Sequence, residues 1–231
     1  MSSPPARPVP VAFCPCPPLL LPEVARGAAA DTGALLAACA AAVGALLTGR
    51  PDAVVVVGPG AEGRYGSGDV GDLRGFGVDV EVPLDGAVRP GGRRLPLSLT
   101  VGAWLLDCAG YAGVRVGAGP EDLAAVVAAL PGRTGLLVMG DGSARRGDKA
   151  PGSHDPAAAP FDAAVAAALA EGDAGALAAL DPAEGERLLA AGVPAWRAVG
   201  RLLAGRDVDA ALLHDDAPFG VGYLVASWTG R

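Results

Sequence analysis

Histidine is nearly absent: the 231-residue chain holds two, His154 and His214. A mononuclear metal site of the three-His or two-His-one-carboxylate kind would consume almost all of them. Lysine is scarcer still, with Lys149 alone among 18 basic residues. The charge balance is acidic, 25 Asp and Glu giving a net −7. A nucleic-acid binder normally carries a basic stripe, so no nucleic-acid partner is expected. Aromatic residues make up 4% of the chain, so its core must be built from small aliphatic side chains. Four cysteines (14, 16, 39 and 108) are too few and too scattered for a disulfide scaffold. No apolar run reaches the ~18 residues of a membrane span, and no membrane partner is expected. Residues 1–8 lack the apolar core of a signal peptide. They read as a disordered tail ahead of a single cytoplasmic domain spanning the chain.

What is present is apolar and rich in turns: 51% hydrophobic residues, 35 Gly and 21 Pro. That composition is too apolar for a disordered chain, and it permits a homo-oligomer. Short apolar runs at 9–14, 53–57, 114–116, 135–139, 208–214 and 221–228 predict strands. Helices are predicted at 33–48, 98–111, 120–130, 160–170, 173–180, 182–191 and 194–203, with Ser98 as an N-cap and Pro120 in a first turn. The alternating stretch VDVEV (78–82) reads as a half-exposed strand. Residues 61–77, with six glycines, read as a long loop. Alternating strands and helices, with several strands apolar throughout, predict an α/β fold. Its mainly parallel sheet is covered by helices on both faces. Ligand sites in such folds lie at the carboxyl ends of the strands. That directs attention to CPCPP (14–18), GPGAEGRYG (58–66), GDGSARRGDK (140–149) and HDDAPFG (214–220).

Gly58-Pro-Gly-Ala-Glu-Gly63 matches G-x-G-x-x-G after a strand, but the glycine-rich text that follows does not start the helix a dinucleotide site requires. Ser143 lies in G-D-G-S-A-R-R, which is not a G-x-S-x-G nucleophile elbow. It stays a candidate for catalysis, with Arg145 and His154. The run Asp141, Ser143, Arg145, Arg146, Lys149 is either a solvated loop with local ion pairs or a site for an anionic ligand. His214 and Asp216, two apart on a strand, share a face that Asp215 does not. With Cys16, displayed beyond the first strand, they form a candidate metal set, against the plainer reading of a buried polar pair and a solvated acid.

Four stretches together resemble the class III extradiol ring-cleavage dioxygenase B-subunit (LigB-like) superfamily, which includes the Memo-like proteins. They are AFCPCPPLLLPEVARG (12–27), VVVVGPG (54–60), MGDGSARRGDKAPGSHDPAAAPFDAAV (139–165) and DDAPFGVGYLVASW (215–228). The pattern is similar to that of an alanine-rich actinobacterial branch. The resemblance implies a three-layer α/β/α sandwich. In active members it implies Fe(II) held by two histidines and one carboxylate, with a further histidine as acid and base on a catecholic substrate. The first ligand position is occupied here by Cys16, the second by Gly60, the acid–base position by Ala144 and the carboxylate by Asp216. The implied function is therefore that of a pseudoenzyme, a non-catalytic member that binds a small anionic or aromatic ligand or a protein partner. The alternative is a divergent Fe- or Zn-dependent oxidoreductase, such as a ring-cleaving dioxygenase.

Overall fold

The computed structural model describes residues 9–26, 29–87 and 89–230. The expectation of a disordered tail at 1–8 lies outside these residues. In chain order the strands are β1 (Val11–Cys14), β2 (Ala53–Val57), β3 (Arg64–Tyr65), β4 (Val70–Asp72), β5 (Glu81–Pro83), β6 (Val114–Ala118), β7 (Thr134–Met139), β8 (Val208–Asp216) and β9 (Tyr223–Gly230). The helices are α1 (Pro22–Ala25), α2 (Ala29–Thr48), α3 (Leu97–Cys108), α4 (Leu123–Ala128), α5 (Ala158–Glu171), α6 (Ala174–Ala179), α7 (Pro182–Arg187) and α8 (Val193–Leu203).

Seven strands form one sheet in the order β3-β6-β2-β7-β1-β9-β8. The four at its centre, β6, β2, β7 and β1, pair in parallel. Strands β3, β9 and β8 join antiparallel at the margins. Strands β1 and β2 are apolar and buried at every position because both faces are covered. In β1, Ala12 and Cys14 enter the core under α2 and α3, while Val11 and Phe13 enter the core under α4, α5, α6 and α8. Strand β2 splits in the same way, with Val54 and Val56 on one side and Val55 and Val57 on the other. The result is the α/β/α sandwich that the alternation of elements predicts. Strand β8 closes one edge, with its residues alternately half-buried and exposed. Among the described residues no helix is long and apolar enough to cross a membrane.

Three local expectations are corrected. Segment 61–77 is not an unanchored loop: it supplies β3 and β4, and it buries Tyr65 and Leu73. The alternating stretch 78–82 contributes only the start of β5, which pairs with β4. Ser98 does not cap α3. Pro96 holds that position, and Ser98 Oγ donates instead to the Pro59 carbonyl at 2.7 Å, tying α3 to the loop after β2.

Candidate functional site

Residues 15, 17 and 18 are prolines, so Cys16 carries the one backbone N–H between Cys14 and Leu19. A buried N–H must find an acceptor, and this one donates to Asp141 Oδ1 at 2.7 Å. The pairing follows from the ladder below it. Cys14 sits opposite Met139 in the β1–β7 register, and Gly140 N–H donates to the Cys14 carbonyl at 3.0 Å. One step further on, Asp141 therefore stands beside Cys16. The thiol lies beside the same carboxylate. Burial pushes the Asp141 carboxyl up to about 6, although the Cys16 N–H and thiol pull it down. Burial, then the neighbouring Asp141 charge and hydrogen bond, hold the Cys16 thiol well above the ordinary thiol range. Tyr223, at the start of β9, is buried nearby. Its phenol is also pushed up, first by burial and then by Asp141 and Cys16.

Behind this trio the loop after β7 is bound to the loop between β8 and β9. Gly142 N–H donates to the Gly222 carbonyl at 2.7 Å, Gly222 N–H to Ser143 O at 2.9 Å, and Arg146 N–H to Gly220 O at 3.0 Å. Asp162, fully buried on α5, anchors the junction. It accepts from Ser143 N–H at 2.8 Å and from the Arg146 guanidinium at 3.0 Å. A Cβ on Gly142 or Gly222 would run into that carboxylate. Burial still raises the Asp162 carboxyl, against the downward pull of Ser143 and Arg146.

These contacts place several of the sequence-based candidates. Ser143 is fully buried, and its hydroxyl donates to the Leu188 carbonyl at 2.8 Å, so it is a structural linker rather than an available nucleophile. Arg146 donates to Asp162, and Asp141 accepts from Cys16 N–H, so each already has a partner within the chain. Lys149 and His154 are exposed on the loop between β7 and α5, apart from the buried trio. Arg145 is half-buried, and its Nε is buried with no hydrogen-bond partner.

The proposed metal set does not assemble. His214 stands opposite Val225 and Asp216 opposite Tyr223, on the α2 side of the sheet, whereas Asp215 stands opposite Leu224 on the α5 side. The exposed Asp216 carboxylate accepts from its neighbour Ala217 N–H at 2.7 Å. Strand β9 separates β8 from β1, and Cys16 is turned to Asp141 of the β7 loop. Among the described residues no three His, Cys, Asp or Glu side chains group to hold a metal. Gly60, at the second ligand position of the resemblance, has a left-handed backbone (φ 77°) and no side chain to offer. The residues present therefore do not fit the Fe(II) or Zn that the resemblance allows.

Two clefts flank the loop after β2. One, of about 430 Å³, opens beside Gly60 and is walled by Tyr65, Phe76, Arg94, Asp72 and Thr100. Its Phe76 ring is 45% exposed. Arg94 spends one nitrogen on Asp72 at 2.8 Å, and Arg93 stacks over the Tyr65 ring at 3.8 Å. The other, of about 640 Å³, adjoins Pro59.

Sequence reasoning missed Asp162 and Tyr223. Asp162 did leave a signal: apart from the terminal Glu171 it is the only charged residue in α5. A lone carboxylate inside an alanine-rich helix must find a buried partner.

No family model matches the chain, and no curated protein matches it. Among solved structures it aligns with the crystal structure of an uncharacterized protein from Escherichia coli K12. The identity is 16% and the TM-score 0.48, over 96% of this chain and 100% of that one.

Proposed function

We propose that this protein is a LigB-like pseudoenzyme that binds a small aromatic acid at the carboxyl edge of its sheet, without a catalytic metal. The observation that carries the reading is the pairing of Cys16 with Asp141. The carboxylate nearest the first ligand position is turned to the Cys16 N–H within the chain. The cleft beside Gly60 supports the ligand class. Phe76 presents a flat apolar face, and Arg94 keeps donors beyond the one that meets Asp72. A ring on Phe76 and a carboxylate on Arg94 would use both groups. The reading places the protein in the cytoplasm, acting on a small molecule rather than on nucleic acid.

Calorimetric titration with benzoate and 3,4-dihydroxybenzoate tests it. Saturable binding, weakened at least tenfold by Phe76→Ala and by Arg94→Gln, is expected. Absence of saturable binding to either acid overturns it. Oxygen consumption with 3,4-dihydroxybenzoate and added Fe(II) would establish the competing reading, a ring-cleaving dioxygenase.

A further inference from the structure

The chain leaves β2 toward the face that carries α3 and leaves the adjacent β6 toward the face that carries α4. Where neighbouring parallel strands send their connections to opposite faces, a crevice opens outside their carboxyl ends. The larger cleft lies in that crevice. Pro59 follows β2 and Glu121 follows β6, and both line it. Its volume of about 640 Å³ falls within the range of small-molecule sites, about 300–1,000 Å³.

Its chemistry is that of an apolar trough with a cationic wall. Val193, Pro194 and Ala190 give apolar surface, and Leu189 completes it. Leu189 is 44% exposed and sits at φ 55°, a conformation that a branched side chain seldom adopts. It is held there because the preceding residue, Leu188, is buried and its carbonyl accepts from Ser143 Oγ and Ala144 N. Packing within the chain leaves nearly half of Leu189 exposed. Arg197 and Arg201, one turn apart on α8, line the cleft from the same wall. Arg197 donates one nitrogen to the Leu180 carbonyl. Arg201 pairs with the exposed Glu121 at 3.7 Å, a contact loose enough for another anion to displace. The remaining acid, Glu186, is exposed.

We infer that this crevice is a second ligand site, separate from the cleft beside Gly60, and that it takes an amphipathic anion. The apolar body would lie on Leu189, Val193 and Pro194, and the anionic head between Arg197 and Arg201. Two guanidinium groups on one wall complement a carboxylate head.

Decanoate titrated calorimetrically into the full chain is the test. One-to-one saturable binding is expected. Arg201→Gln should weaken it at least tenfold, and Ala191→Trp, which fills the trough from an exposed position, should abolish it, with far-UV circular dichroism unchanged in both. Decylamine, of the same length with a cationic head, should bind at least tenfold more weakly than decanoate. Saturating benzoate should leave decanoate affinity unchanged, which separates this site from the one beside Gly60 whether or not benzoate binds there. The inference is overturned by absence of saturable decanoate binding, by full binding in Ala191→Trp, by equal binding of decylamine, or by competition from benzoate. A dimer seen in sedimentation and dissociated by Ala191→Trp would also overturn it, by assigning the trough to a second copy of the chain.

Discussion

Cys16 N–H donates to Asp141 Oδ1 at 2.7 Å, joining the proline-rich loop after β1 to the glycine-rich loop after β7. The bond closes the carboxyl edge of the sheet at the point where the LigB-like pattern would place a metal ligand. The Asp141 carbonyl also accepts Gly192 N–H at 2.8 Å, so the same residue holds the start of α8. Asp141 is thus a tether for three segments before it is anything chemical.

That tether predicts a pH dependence of stability. Burial raises the Asp141 carboxyl from 3.8 to about 6, so the folded state favours the protonated acid. Its contribution is fully present below about pH 4 and is lost as pH rises through about 6. Asp141→Asn keeps the acceptor for Cys16 N–H and removes the titration. Urea unfolding between pH 4 and 7 should show stability of the wild-type chain falling more steeply than that of the variant. Parallel curves would contradict this placement of Asp141.

Asp162 should matter more for stability than its single charge suggests. Asp162→Ala leaves the Ser143 N–H without its acceptor and the half-buried Arg146 without its counterion. Breaking such a pair costs about 3 kcal/mol or more. Asp162→Asn retains an acceptor for Ser143 and should lose less. Denaturant midpoints of the two variants measure the difference, and equal midpoints would show that the retained acceptor for Ser143 N–H contributes nothing.

The thiols should react unequally. Cys14, Cys16 and Cys39 are buried, and Cys108 is exposed. A hydrogen bond to Cys39, followed by burial, raises the Cys14 thiol well above the ordinary range. An aromatic disulfide reagent should label one thiol per native chain promptly and the other three only on unfolding. Prompt labelling of Cys16 would show that the loop after β1 opens readily.

Trp228 tests the opposite face of the sheet. Its indole N–H donates to the Leu169 carbonyl at 2.7 Å, and its ring meets Phe13 edge-on at 4.8 Å. Trp228→Phe keeps most of the apolar volume and loses the donor, for a cost of about 1–2 kcal/mol. Trp228→Ala should cost about 3–5 kcal/mol. Calorimetric unfolding separates the two, and a cost for Phe as large as for Ala would point to the hydrogen bond rather than packing.

The parts of the fold legible in the sequence are those where a local pattern and the tertiary environment agree. Ala53–Val57 could be read as a buried strand because a run of valines is covered on both faces. The helix at Val193–Leu203 begins one residue before its predicted start. Segment 61–77 failed because its order comes from distant partners. Gly71 leaves no room for a Cβ against Thr100 of α3, and Tyr65 is covered by Arg93. Within the site, the two-residue strand period is legible in the sequence and puts His214 and Asp216 on one face. What could not be read was which loop each side chain would turn to. The sequence gives no sign that Cys16 would turn to Asp141, or that Ser143 and Arg146 would turn inward to Leu188 and Asp162. Those bonds depend on which strands are neighbours.

Anaerobic reconstitution with Fe(II), followed by measurement of bound iron and of oxygen uptake with 3,4-dihydroxybenzoate, tests the central claim most directly. The account predicts far less than one iron per chain after desalting and no oxygen consumption above the protein-free rate. One tightly held iron per chain with catechol-dependent oxygen uptake would contradict it.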